Sequence, residues 1–116
     1  MDVYNLSVKQ IAEKIKDTQL SSVDLCKAFI DRIKKFEKDI HAWAHFDEKL
    51  LLEKAEESDN YRRSGKPLGS LHGIPVALKD IVGTLDMPTE CGTVLRKGMS
   101  ASQDAEIVDL LKSEGA

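Results

Sequence analysis

The chain has 116 residues, 41% hydrophobic and 32% charged; at roughly 100–200 residues per domain this is one soluble globular unit with no room for two independent cores. Its 17 Lys+Arg against 20 Asp+Glu give a formal charge of −3, which offers no electrostatic footprint for nucleic acid or an acidic membrane. No apolar run approaches the roughly 20 residues of a membrane span, residues 1–10 lack the build of a secretory leader, and Cys26 and Cys91 are too few for a disulfide framework, so a reducing, cytoplasmic setting is expected.

Charge is unevenly spread. Residues 1–64 carry 25 charged side chains and residues 65–116 carry 12. The first part therefore reads as a helical segment rich in surface, and the second as the more buried start of an α/β core. Ser7 followed by Gln10 is a capping-box pattern, and Val8, Ile11, Ala12 and Ile15 continue at helical spacing to about Lys16–Asp17. Ser21 or Ser22 then caps a longer helix. Its row of Val23, Cys26, Ile30 and Ile33 is widened by Leu25, Phe29, Phe36 and Ile40 into an apolar stripe. A third helix is predicted from about Asp47 to Arg63, with Leu50, Leu51, Leu52, Ala55 and Tyr61 as buried contacts and Gly65 at its C-terminal stop.

The pattern changes at the turn-rich linker Lys66-Pro67-Leu68-Gly69-Ser70. Ile74-Pro75-Val76-Ala77-Leu78 is a nearly continuous apolar run, which predicts a strand buried on both faces with Pro75 at its start. Residues 83–102 read as loop. Asp104 is expected to cap a last helix carrying Ala105, Ile107, Val108, Leu110 and Leu111, closed by Gly115. A buried strand needs partners for its backbone groups, and a βα unit is followed by a parallel strand. Since only one strand is found, the sequence looks like the opening of a larger α/β fold.

Several residue clusters are candidates for chemistry. His41 and His45 stand four apart, a zinc-ligand spacing, but Ala42-Trp43-Ala44 between them lacks a general-base glutamate; they read as helix-end packing around Trp43. His72 reads as a turn hydrogen-bonder. Cys26 lies on an apolar stripe and Cys91 in a glycine-flanked loop with no adjacent base, so both are assigned structural roles. Gly65-Lys66 and Gly69 lack the preceding strand and the order of a phosphate loop. Lys79 is different, because it ends the apolar run. Burying an ammonium there costs several kcal/mol unless it is paired or neutralised, and a neutral lysine is a competent general base. Alternatively, Lys79 leaves the strand end to pair with Asp80 or to reach water.

The stretch Leu71-His72-Gly73-Ile74-Pro75-Val76-Ala77-Leu78-Lys79-Asp80 resembles the first signature of the amidase signature family, in which an HGIPV strand ending in Lys-Asp delivers a catalytic lysine. Asp86-Met87-Pro88-Thr89-Glu90-Cys91-Gly92-Thr93 is similar to that family's G-x-PT-x-x-GS/T loop, and Asp104-Ala105-Glu106-Ile107-Val108 with Gly115-Ala116 to its DA-x-V helix. His41-Ala42-Trp43 and the third helix resemble the usual lead-in. The resemblance implies an α/β mixed-sheet fold, incomplete in this chain, with residues 1–64 as N-terminal helices and 65–116 as the start of the core. It implies carboxamide hydrolysis by a Ser–cis-Ser–Lys triad, with Lys79 as the lysine and Asp80, Gly92 and Thr93 as supporting residues. It implies a small-molecule amide substrate for the full-length form, and no metal or organic cofactor.

Both triad serines of the family lie in a GGSSGGSA-type stretch that nothing here matches; Ser100 and Ser102 sit in the wrong motif. The chain is therefore expected to hold the front part of an amidase and to be inactive alone. Lys79-Asp80-Ile81-Val82 and Glu90-Cys91-Gly92-Thr93 resemble freestanding amide hydrolases more than the A subunit of the glutamyl-tRNA(Gln) amidotransferase, which is the second reading. A third is a truncated, non-catalytic interaction module, self-associating through an exposed strand edge or apolar helix faces.

Overall fold

A computed structural model describes residues 2–116, which form helices α1 (Val8–Lys16), α2 (Ser22–Ile40), α3 (Glu48–Arg63) and α4 (Glu106–Ser113), with 3-10 turns at Val3–Asn5 and Val94–Arg96. Each of the first three helices begins where a short polar side chain satisfies an orphan backbone donor. Ser7 accepts from the Gln10 N–H while the Gln10 side chain accepts from the Ser7 N–H, closing the capping box. Ser21 accepts from Asp24 N–H at 2.9 Å and Asp47 from Leu50 N–H at 2.9 Å. α2 stops at His41, whose backbone turns left-handed (φ 53°), and α3 runs out through Ser64 into Gly65 at φ 75°.

The last helix departs from the expected start. Its N-cap is Ala105, which makes no side-chain capping bond. Asp104 instead points back along the chain, accepting from Leu85 N–H at 2.8 Å and from Lys112 Nζ at 2.6 Å. A carboxylate one residue too early for the cap has found a loop donor and an ammonium, a stronger charge-assisted pair.

The core lies where the first 3-10 turn, α1 and the first half of α2 meet the segment after the linker. Val3, Ile11, Ile15, Leu25 and Ile74 are buried together, flanked by Leu6, Ala12, Leu20, Ala28, Phe29 and Leu71. Ile11 and Ile15 stack one turn apart on α1, and complete burial of Leu25 contributes about 1.5–3 kcal/mol. The apolar stripe of α2 is buried only in part. Leu25, Cys26 and Ile30 are covered, whereas Phe36 and Ile40 are 38% and 63% exposed. α3 packs against α2, but of its expected contacts only Ala55 is fully buried; Leu50, Leu51 and Leu52 are half-covered and Tyr61 is exposed.

The expected strand is a correction. Residues 74–78 form no β-ladder, and among the described residues the sheet content is one isolated bridge between Pro88 and Ser100. Nor is the run buried on both faces: Ile74 is covered, while Val76 and Ala77 are exposed. A strand is defined by its partners, and no other described segment lies alongside to supply them. No helix is long and apolar enough to cross a membrane among the described residues.

Candidate active-site segment around Lys79

The segment carrying Lys79 begins in a tight turn at Gly69–Ile74, with His72 N–H donating to Gly69 O and Ile74 N–H to Leu71 O. Gly73 sits at φ 71°, and a Cβ built on it would lie 3.1 Å from both Cβ and Oγ of Ser22. Only glycine suits both the conformation and the approach. Ser22 uses that proximity, its buried hydroxyl donating to Gly73 O at 2.6 Å. The Gly73 N–H donates to Gly115 O at 2.8 Å and Leu71 N–H to Glu114 O at 3.0 Å, so the end of α4 closes the other side. His72 is a turn hydrogen-bonder as expected: buried, its Nε2 lies 2.9 Å from Ser58 O and its ring 5.5 Å from that of Tyr61.

Behind this turn stands Asp59, a carboxylate only 3% exposed. Its two oxygens accept from the N–H groups of Ser22 (3.0 Å) and Val23 (3.1 Å), the first donors of α2, and Arg62 lies 3.4 Å away. A negative charge on a helix N-terminus is in its most favourable place. Sequence reasoning missed Asp59, because an acidic residue in a highly charged helix carries no local mark of burial. The doubled Ser21-Ser22 was the available signal, with Ser21 taking the cap and Ser22 the tertiary bond.

Lys79 itself is exposed at the end of its run, with its carbonyl accepting from Val82 N–H at 2.9 Å. The dry setting expected for it is not what this chain provides. Asp80 ties the segment to the loop that follows. One carboxylate oxygen accepts from Glu90 N–H at 2.8 Å, the other from Gly92 N–H at 3.4 Å, and the Asp80 carbonyl accepts from Cys91 N–H at 3.0 Å. The loop turns there through two left-handed residues, Cys91 (φ 53°) and Gly92 (φ 69°). Thr93 N–H donates to Glu90 O, and its hydroxyl accepts from Leu95 N–H. The Glu90 carboxylate accepts from Gly98 N–H. Asp80, Gly92 and Thr93 are thus brought into one hydrogen-bonded knot next to Lys79. Ser100 and Ser102 lie exposed outside it, Ser100 pairing with Pro88.

α4 is fastened by two further carboxylates. The bond from Lys112 and the Leu85 N–H hold Asp104 below the usual carboxylate range, and the same pairing holds Lys112 above the usual lysine range. Glu114 is lowered by the hydroxyl and N–H of Ser70, at 2.6 and 3.0 Å. His41 ends α2 and His45 lies beyond it, both exposed, so the pair does not share a helical face. Trp43 packs instead on Phe46, with ring centroids 5.4 Å apart. No group of three or more His, Cys, Asp or Glu side chains suited to a metal ion is found among the described residues.

The family model for amidases matches residues 24–116, from the first turn of α2 through α4. The chain belongs to the amidase family. This amidase-family chain is 38% identical over all 116 residues to the A subunit of the glutamyl-tRNA(Gln) amidotransferase of Carboxydothermus hydrogenoformans, covering 24% of that protein. It is 36% identical over 115 residues, 98% of its length, to the protein of the same name from Rhodococcus erythropolis, covering 23% of that protein. Among solved structures, the native peptide amidase of Stenotrophomonas maltophilia superposes with a TM-score of 0.92 at 29% identity, over 99% of this chain and 24% of that one. A fatty acid amide hydrolase superposes at 0.90 with 32% identity, over 98% of this chain and 20% of that one. The chain thus spans about a quarter of the length of the relatives it matches, and its helices correspond to a helical part of the amidase-signature fold.

Proposed function

We propose that this chain delivers the lysine of a Ser–cis-Ser–Lys amidase, which hydrolyses a carboxamide to the acid and ammonia or an amine. The observation that carries the reading is Lys79 on a segment fixed at both ends, by Ser22 on Gly73 and by Asp80 on Glu90 and Gly92. A general base works only when held within hydrogen-bond reach of its proton. In this mechanism the neutral Lys79 amine takes a proton from the cis-serine, which takes one from the nucleophilic serine. The freed oxygen attacks the carboxamide carbon, the C–N bond breaks as the proton is returned to the leaving nitrogen, and water releases the acid from the acyl-enzyme. Asp80 keeps Lys79 in register with the 89–93 loop, where Gly92 supplies the left-handed turn and Thr93 fastens its exit. Desolvation favours the neutral form of a lysine, so the open side of Val76, Ala77 and Lys79 is the face the rest of an amidase would cover. The mixed sheet would form there, with residues 74–78 taking a partner strand.

A second reading, the A subunit of a glutamyl-tRNA(Gln) amidotransferase, is favoured by the names of the relatives at 36% and 38% identity. Ile81-Val82 after Lys79-Asp80, together with Cys91-Gly92-Thr93, favours the freestanding hydrolase. A cytoplasmic setting fits the two free thiols. The test seats residues 1–116 in place of the matching quarter of the peptide amidase and measures ammonia release from peptide amides. Turnover is expected, with a loss of about a thousandfold or more in Lys79→Ala; a folded hybrid that keeps its rate in Lys79→Ala overturns the reading. Ammonia release from glutamine only, by the equivalent hybrid of the amidotransferase in its complete complex, decides for the second. The 116-residue chain alone, matching neither triad serine, is expected to release none. A non-catalytic module would instead self-associate through Val76, Ile81 and the exposed side of α4, and a stable monomer in light scattering counts against it.

A further inference from the structure

We propose that Asp59 of α3 and Ser22 of α2 are positioning residues for Lys79. This rests on Lys79 being the base of the proposed reaction. The chain of bonds is short and buried. The Asp59 carboxylate grips the two leading N–H groups of α2, which fixes Ser22 as the first residue of that helix. The Ser22 hydroxyl donates to the Gly73 carbonyl at 2.6 Å, and Gly73 stands six residues before Lys79. Ser22 is 2% and Asp59 3% exposed, so neither bond competes with water.

Packing narrows the arrangement further. The left-handed Gly73 lets Ser22 approach to a distance that any Cβ would contest, and Ile15 of α1 closes the same spot at 3.6 Å from that Cβ position. The Lys79 segment therefore hangs from two tethers. Asp80 holds the far end to a loop whose residues 90–92 are half- or fully exposed, whereas the Gly73 end is anchored in the core beside Ile74. Only the second tether refers Lys79 to the rigid part of the molecule. A base displaced by about 1 Å loses on the order of a hundredfold in rate, so a bond that sets the segment's origin is felt at the amine.

The test has two arms, so that the positioning role and the base role can fail separately. In the 116-residue chain, with no activity required, Ser22→Ala is expected to shift the amide resonances of residues 73–80 and the Lys79 side-chain Cε resonance, leaving those of the 94–100 loop in place. Ser22→Thr, which keeps the hydroxyl, should restore them. In the peptide-amidase hybrid, Ser22→Ala and Asp59→Asn are expected to lower kcat about ten- to a hundredfold with KM within about twofold, and to move the pH profile of kcat. Unchanged Lys79 resonances in a folded Ser22→Ala chain overturn the proposal, as does a hybrid that loses only thermal stability. Should Ser22→Ala not fold, Asp59→Asn is read in the same two ways. A wild-type hybrid that folds but shows no turnover removes the base role and leaves the resonance arm to decide the tether.

Discussion

Cys26 and Cys91 are chemically the same residue in opposite surroundings. Cys26 is 2% exposed on α2, and burial pushes its thiol up to about 11, with the Ser22 hydroxyl working the other way and Asp59 adding to the rise. Cys91 is exposed at a left-handed turn. The thiolate is the reacting species, so iodoacetamide at neutral pH should alkylate Cys91 and leave Cys26 untouched until denaturant is added. Peptide mass mapping that finds equal labelling in the folded chain would sink this assignment. The same contrast runs through the site. Lys79, Asp80, Gly92 and Thr93 are candidates that the motif itself marks, because the residue types are the signal. Asp59 carries no such mark, since its role comes from where α2 happens to start.

At the scale of elements, glycines decide how α4 docks. A Cβ on Gly69 would lie 2.2 Å from the Glu114 carbonyl oxygen and 2.4 Å from its carbon, backbone atoms that cannot turn aside. A Cβ on Gly65 would meet nothing, though its φ of 75° still disfavours a side chain. Gly69→Ala should therefore pull the end of α4 from the 70–73 turn and cost about 1–3 kcal/mol. Gly65→Ala should cost about 1 kcal/mol from backbone strain alone. Urea unfolding separates them, and hydrogen exchange at Val108 and Leu111 should rise only for Gly69→Ala. The element boundaries themselves were legible. Ser7, Ser21, Asp47 and Gly65 act through bonds or dihedrals within a few residues, which a sequence displays directly. Asp104 misled for the opposite reason, as its partners Leu85 and Lys112 lie well away along the chain.

Across the whole molecule, acid should act first on α4. Asp104 and Glu114 both have carboxyl groups held below their ordinary values in the folded chain, the first mainly by Lys112 and the second by Ser70. The unfolded chain then binds protons more readily, so stability rises with pH through this range. Their contribution is full above the ordinary carboxylate range of about 4 and is lost as pH falls through the lowered folded values. α1 is held instead by Ile11 and Ile15 in the apolar core. In an NMR titration from neutral pH downward, protection at Val108 and Leu111 should fade before that at Ile11 and Ile15; simultaneous loss would refute the separate docking of α4.

Local spacing and residue identity were enough for the starts of α1 to α3 and the stops of α1 and α3, for the amphipathic faces of α1 and the first half of α2, and for the family through the His72–Asp80 stretch. Three other features exist only once the chain is folded. Asp59 comes to lie under α2 and Ser22 on Gly73, because a buried polar bond between residues 51 apart leaves no local trace. Asp104 becomes an anchor instead of a cap. Residues 74–79 are left without a ladder and Lys79 without a dry pocket, because an apolar run becomes a strand only when another backbone lies beside it to take its hydrogen bonds.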